Sequence, residues 1–449
     1  MASPFARLLA LAVLFTSVYS ATIAHKQHDD HDHAPLNRRL PSTWYQADDH
    51  PVHQLFKRGP STDGAVYAQV GSSTWAAAYP RSTPDPTQLP QAWVDALNDA
   101  VSSGKIPSFG PSKATGGNPM YPGADPSSDT ICSTTYKCRK NPDNIYDAPD
   151  GLLGVSFDDG PLPTSDKLYD FLKANNQPAT HFFIGVNILN NPNEFNRAFS
   201  ELQNDIAVHT WTHPYMTTLD NLGVLGQLGW TMEIIHNSTG GRLPKYWRPP
   251  FGDSDNRVNA IASEVFGLTT VIWNQDTEDW SLTSGGTTPQ KVNASMTQWL
   301  TGPKSPGLII LEHELSDQSV QAFIDAYPVM KQNGWNTVSV GQIDGESAYV
   351  NSPSSTGNVT PMGIVLSSHN GTDPDASSSQ SPSGSSSAAT PSSSGSSRSS
   401  TTSSSSVSPS STGAIQNNAA LSMARPASWQ LVSLLASCPL MMLSTLVMI

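Results

Sequence analysis

The sequence predicts an α/β fold, a distorted (β/α)7-type barrel with an extension before it and a disordered polar stalk behind it. Three observations carry that expectation. From about Gly151 to Gly345, short apolar runs alternate with amphipathic helical patterns, the texture of repeated strand and helix units. Polar clusters fall at the carboxyl ends of the predicted strands, where barrel enzymes place their chemistry. After Asn351 the composition turns to Ser, Thr, Pro and Gly, and such a segment buries too little apolar area to offset its ordering entropy.

The amino-terminal elements come first. Arg7 precedes the apolar run from Leu8 to Phe15, and Val18-Tyr19-Ser20 offers small residues for cleavage. Residues 1–20 therefore read as a secretory signal peptide, too short to span a bilayer comfortably. Residues 21–58 are polar and rich in His and Asp, including His25, His28, His31 and His33. A disordered pro-segment is the better reading of that stretch than a metal-binding tail. Lys57-Arg58 suits a dibasic protease, with Arg38-Arg39 as a second candidate; a mature amino terminus upstream of Gly59 would refute this. Residues 59–150 are rich in Pro, Gly and Ser and read as an extension that packs on the barrel through Trp75, Trp93, Val94 and Leu97.

The barrel is expected over residues 151–345. Its predicted strands are 152–157, 179–184, 205–208, 245–248, 268–273, 308–312 and 336–340. Between them, residues 165–174 put Leu168, Phe171 and Leu172 on one helical face, and residues 219–236 do the same with Leu222, Leu225, Met232 and Ile235. Helices at 255–266, 289–300 and 317–331 complete the alternation. Residues 352–418 form the expected O-glycosylated stalk. Residues 419–449 match a GPI-anchor signal that is removed: small residues at Asn418-Ala419-Ala420, a spacer, then an apolar tail from Leu431 to Ile449. Asn418 is the expected attachment point. A single transmembrane helix is the alternative, disfavoured by the lack of a basic stop-transfer residue.

Across 449 residues the formal charge is −13, from 24 basic and 37 acidic side chains, which argues against a nucleic-acid partner. Cys132 and Cys138 are close enough to close a small disulfide loop in an oxidising compartment, while Cys438 lies in the apolar tail. Sequons at Asn237, Asn293, Asn358 and Asn370 fit a secreted glycoprotein.

The chemistry gathers around Val155-Ser156-Phe157-Asp158-Asp159-Gly160, an apolar run ending in paired carboxylates and a turn signal. Successive strand residues face opposite ways, so the carboxylates are expected to splay, one toward a metal and one toward a water beside it. Solvated turn aspartates are the plain alternative. The downstream pair in His209-Thr210-Trp211-Thr212-His213 argues against it, because two imidazoles and a carboxylate hold a divalent metal with a position open for water. In Arg248-Pro249-Pro250-Phe251-Gly252 the prolines force the chain out of a strand. Arg248 is then expected at the rim, where its permanent charge keeps a carboxylate ionised. Asp276-Thr277-Glu278-Asp279-Trp280 and Leu311-Glu312-His313 complete the set.

In order and spacing these stretches resemble the polysaccharide deacetylases of the NodB-homology type, carbohydrate esterase family 4. The family's T-F-D-D-G appears as Ser156 to Gly160 with Ser for Thr, and its H-[ST]-x-x-[HS] as His209 to His213. R-x-P-[YF] appears as Arg248 to Phe251, D-x-x-D-W as Asp276 to Trp280, and L-x-H as Leu311 to His313. The resemblance implies a barrel with fewer than eight regular strands and a divalent metal, Zn2+ or Co2+, on Asp159, His209 and His213. It implies Asp158 as the base toward the attacking water, positioned by Arg248, and a backbone N–H near Phe251 that stabilises the oxyanion. His313 would protonate the departing amine, oriented by Asp279, while Trp280 and Leu311 would line the acetyl pocket. The implied activity is removal of N-acetyl groups from the N-acetylglucosamine residues of chitin, giving chitosan and acetate. The stalk and GPI signal place that activity at the membrane and in the wall of a fungal cell, with no protein partner evident. Acetylxylan is a second candidate substrate, and a structural mannoprotein is the non-enzyme alternative.

Other readings need residues the chain lacks or leave its pattern unused. A zinc peptidase needs Glu beside the first His, and residue 210 is Thr. A glycoside hydrolase using Asp158 and Asp279 has no use for a metal-spaced His pair. His181 reads as a strand residue rather than a ligand, His236 as exposed, and Asp276 as a turn former. Glu312 and Glu314 are expected to point away from His313 by strand alternation. Trp211, Tyr215, Trp247 and Trp280 are aromatics for stacking on sugars or for the core.

Overall fold

The computed structural model describes residues 60–114 and 116–366. The signal peptide, the pro-segment, Asn370, Asn418, Cys438 and the GPI signal lie outside the described residues. Eight strands form one parallel sheet: β1 (Leu152–Asp158), β2 (Thr180–Phe183), β3 (Asp205–Val208), β4 (Tyr246–Trp247), β5 (Thr269–Thr270), β6 (Gln275–Asp276), β7 (Leu308–Leu311) and β8 (Asn336–Ser339). Their order is β5-β4-β3-β2-β1-β7-β6, with β8 paired to the amino half of β1. The single strand expected at 268–273 is instead bent, and its bend closes the sheet. Thr269–Thr270 pairs with β4 and Gln275–Asp276 pairs with β7, while Ile145 bonds to the stretch between them. The result is the expected distorted barrel.

Strand alternation sorts the apolar side chains into two layers. Phe182, Ala207, Tyr246, Val271 and Ile309 fill the barrel interior with Val340 and Ile343. Val155, Phe157, Phe183, Ile206, Val208 and Ile310 face outward and pack under the helices. In the extension lie α1 (Ser73–Ala77) and α2 (Gln91–Ser102). The barrel helices follow as α3 (Ser165–Ala174), α4 (Gly185–Asn190), α5 (Pro192–Asn196), α6 (Asn221–Ser238), α7 (Asn256–Phe266), α8 (Pro289–Leu300) and α9 (Asp317–Gln332). The short α4 and α5 carry too few turns for a periodic signal and do not show in the sequence pattern. Asp220, Asp255, Thr288 and Ser316 accept backbone N–H bonds at the starts of α6 to α9, the usual role of such residues at helix N-termini.

Helix α6 buries more than its one predicted face, because the extension covers another. Trp93 lies over Gly229, where a Cβ would come within 2.4 Å of its ring. Glycine inside a helix costs about 1 kcal/mol relative to alanine; here it makes room for a buried tryptophan. The end of α6 is covered too. His236 is not exposed: it is half-buried, edge-on to Tyr67 and bonded to Asn237. The Asn237 amide donates to Glu233 at 2.8 Å, so the folded chain already uses the nitrogen a glycan would occupy. Asn293 and Asn358 are exposed.

The packed domain also runs past Gly345. The Tyr349 hydroxyl accepts the Ile206 N–H at 3.0 Å, and Ile364 and Val365 join the outer core. Residues 352–366, expected as stalk, therefore belong to the folded unit. Their short apolar run, Ile364-Val365, is hidden in a Ser- and Gly-rich setting.

Candidate active site

The site sits at the carboxyl ends of β1, β3, β4, β6 and β7. Strand alternation alone would send Asp159 to the outer face, away from Asp158. The chain prevents this by turning through a left-handed residue: Asp159 has φ 73°. Its carboxylate swings back over the barrel mouth instead of splaying. Thr210 and His213, at φ 66° and 60°, turn the next loop in the same way, and there is no helix beneath the His pair. Non-glycine residues in such conformations persist where their surroundings over-determine them, at a cost of about 1–3 kcal/mol each.

These turns bring three ligand atoms together. Asp159 Oδ1 lies 3.2 Å from His209 Nε2 and 3.1 Å from His213 Nε2, and one ligand atom from each residue falls within 4.8 Å of the others. His209 Nδ1 is 2.7 Å from the Arg248 carbonyl oxygen. A carbonyl only accepts, so Nδ1 carries the proton and the Nε2 lone pair faces the carboxylate. Asp159 Oδ1 is buried and makes no hydrogen bond. Lone pairs converging on an orphaned buried oxygen fit a divalent cation and little else.

Asp158 stands beside this cradle. It is buried, with Oδ2 3.9 Å from His209 Nε2 and Oδ1 2.6 Å from Arg248 Nη1. Arg248 is not at the rim. It is fully buried inside the barrel mouth, its guanidinium 4.1 Å from the Phe182 ring centroid and 3.0 Å from the Ser156 hydroxyl. The prolines do end the strand, but Arg248 precedes them and still obeys the inward alternation of β4. In the sequence Ser156 stands only as a motif member without a role; its inward position two residues before Asp158 was the available signal.

His313 faces the same space. Its Nδ1 bonds to Asp279 Oδ1 at 2.6 Å, and its backbone N–H donates to Asp279 Oδ2 at 2.9 Å. Burial is the largest single influence and pushes the imidazole pKa down, but the Asp279 charge and hydrogen bond, with the Asp159 and Asp158 charges, together lift the value to about 10. Asp276 caps the turn by accepting the Glu278 N–H at 2.9 Å. Phe251 and Trp280 are each 52% exposed at the mouth, and Phe251 stacks on Tyr215 with centroids 4.2 Å apart. Leu311 lies buried below, and Trp211 and Trp247 are core.

His181 is no ligand. It is fully buried on the outer face of β2, with Nδ1 2.8 Å from Glu314 Oε1 and Nε2 2.9 Å from the Asn204 amide nitrogen. Glu314 in turn fills the space over Gly160, where a Cβ would come within 2.4 Å of its carboxyl carbon. Glu312 is buried as well, and desolvation holds its carboxyl well above the usual range.

A parallel barrel bearing an Asp-His-His cradle, with a carboxylate beside it and a charged imidazole facing it, defines a metal-dependent hydrolase of the acid–base type. A family model of polysaccharide deacetylases matches residues 146–271. Chitin deacetylase 3 of Cryptococcus neoformans var. neoformans is 41% identical over 320 residues, covering 70% of this chain and 75% of that protein. Chitin deacetylase 2 of the grubii variety is 32% identical over 339 residues, covering 71% and 73%. The solved chitin deacetylase of Colletotrichum lindemuthianum aligns at 26% identity and TM-score 0.41, over 44% of this chain and 90% of that one. The chain belongs to the polysaccharide deacetylase family.

Proposed function

We propose that this protein hydrolyses the N-acetyl groups of chitin, yielding chitosan and acetate, with the residues described above in distinct roles. The observation that carries the reading is the convergence of His209 and His213 on the orphaned Asp159 oxygen, with Asp158 and His313 flanking it. The chitin deacetylases it resembles point to the substrate.

Asp159, His209 and His213 would hold the cation, zinc by the preference of this donor set and cobalt as the alternative. When bound, it supplies Lewis acidity toward the amide carbonyl and makes water acidic enough to attack near neutral pH. Asp158, held in place by Arg248, accepts a proton from the attacking water as the C–O bond forms. The Phe251 N–H lies in the first turn of the Pro250–Gly252 3-10 helix, where donors have no partner within the helix. It would donate to the developing oxyanion, a contribution of about 3 kcal/mol for a well-placed donor. As the C–N bond breaks, His313 gives its proton to the departing amine, and Asp279 holds the ring so that Nε2–H faces the bond. Trp280 and Phe251 offer the sugar two half-exposed aromatic faces, and Leu311 the acetyl methyl an apolar wall.

We also propose that the protein is secreted and held at the plasma membrane and wall by a GPI lipid, on the strength of the terminal sequence patterns. Release from intact cells by a phosphatidylinositol-specific phospholipase tests this; retention after treatment argues against it. The activity is tested by acetate release from N-acetylglucosamine oligomers and from acetylxylan side by side. Release from the oligomers is expected. Release from acetylxylan alone would keep the chemistry and replace the substrate.

A further inference from the structure

Thr134 lies in the extension, inside the small loop closed by the Cys132–Cys138 disulfide, and it is buried. Its hydroxyl donates to the Gly252 carbonyl at 2.6 Å and accepts the Ser254 N–H at 3.0 Å, while its own N–H donates to the Ser254 carbonyl at 2.9 Å. Next to it, the Thr135 hydroxyl donates to Asp253 Oδ1 at 2.8 Å, and the Ile131 carbonyl accepts the Asn256 N–H at 2.8 Å. The loop is thus bonded along the whole segment that follows Phe251. Asp253 reaches the other way as well, accepting the Thr217 N–H at 2.9 Å from the loop that follows His213.

Phe251 has φ 58°, a conformation that needs support from both sides. On the amino side the barrel supplies it, since the Arg248 N–H bonds to the Val208 carbonyl at 2.9 Å. On the carboxyl side the disulfide loop does.

We propose that Thr134, held by the Cys132–Cys138 loop, is a positioning residue for the Phe251 backbone N–H and so governs the chemical step rather than substrate affinity. The inference rests on the reading of that N–H as the oxyanion donor. An oxyanion donor acts only within about 2.7–3.1 Å of the developing charge, and a misplacement of about 1 Å can cost about a hundredfold in rate.

The test compares Thr134→Val, which keeps the shape and loses the hydroxyl, with Thr134→Ser, which keeps the hydroxyl. Both are assayed on chitin oligomers well below their melting temperatures, with bound metal quantified. The expected result is a kcat loss of about tenfold or more for Thr134→Val at unchanged KM and metal content, recovered to within about twofold by Thr134→Ser. If Thr134→Val does not fold, Cys132→Ser/Cys138→Ser takes its place with the same expected split. Wild-type activity with an unchanged kcat in the variant overturns this inference alone; a wild type inactive on every acetylated glycan overturns the reading of the site with it.

Discussion

Two buried histidines sit on opposite faces of the same barrel wall, each bonded through Nδ1 to a carboxylate. The consecutive residues His313 and Glu314 belong one to each pair, and just past the end of β7, where His313 still bridges to Asp158, the first turns inward and the second outward. The inward pair faces the Asp158 and Asp159 carboxylates, which raise the His313 pKa further after Asp279 has done so. The outward pair is enclosed by Phe157, Tyr169 and Phe183. There the Asn204 amide nitrogen meets His181 Nε2 at 2.9 Å, away from the cleft. The same two functional groups make the proposed proton donor where they meet the cleft and a strut where they meet the core. Placement, not composition, decides which.

The largest expected effect is on the inward pair. Asp279→Asn removes the main cause that raises the His313 pKa, leaving the burial that lowers it. The protonated acid is then lost, and kcat is expected to fall by about 10²–10⁴. In the wild type His313 stays protonated until the pH rises toward about 10, and a cation on Asp159 moves that limb somewhat lower. In Asp279→Asn the alkaline limb of kcat should move further down. A limb that stays in place would separate His313 from the acid role.

The outward pair should respond in stability. Glu314→Ala leaves His181 Nδ1 buried without a partner and is expected to cost about 3 kcal/mol in denaturant unfolding. The folded fraction should keep its kcat to within a few-fold and its alkaline limb unmoved. Gly160→Ala presses on the same strut, since its Cβ would meet the Glu314 carboxyl carbon at 2.4 Å. Overpacking of this kind costs about 1–3 kcal/mol. Smaller again is Trp280→Ala, a change at an exposed surface. It should raise KM on oligomers by up to about tenfold, as expected for the loss of one aromatic contact, with kcat held. A fall in kcat instead would move Trp280 from substrate contact to the chemistry.

Much of this was legible in the sequence because strands and their carboxyl-terminal clusters are local features. Asp205–Val208, Ser165–Ala174 and Pro289–Leu300 fall where the patterns put them, each a periodic run with clear punctuation. What escaped is what depends on partners distant in the chain. The return of Asp159 over the barrel mouth needs a left-handed residue that strand periodicity does not encode. Arg248 reads as a rim residue until Phe182, Ser156 and Asp158 are seen enclosing it. The Glu314–His181 contact joins residues 133 apart, and the coverage of α6 by Trp93 shows only as Gly229, a helix glycine without an evident purpose. The end of the domain was missed for the same reason, since Ile364 and Val365 count as core only once the outer layer they fill is known.

The central claim is that Asp159, His209 and His213 hold the cation and Asp158 uses the site they form. It is tested most directly by quantifying bound metal and acetate release on the same preparations of wild type, Asp158→Asn and His209→Ala, with and without a chelator. The wild type should carry metal and release acetate, losing both to the chelator and regaining both when metal is restored. Asp158→Asn should keep the metal and release no acetate, while His209→Ala should lose both. Acetate release that survives the chelator, or a His209→Ala variant with wild-type activity, would contradict the account.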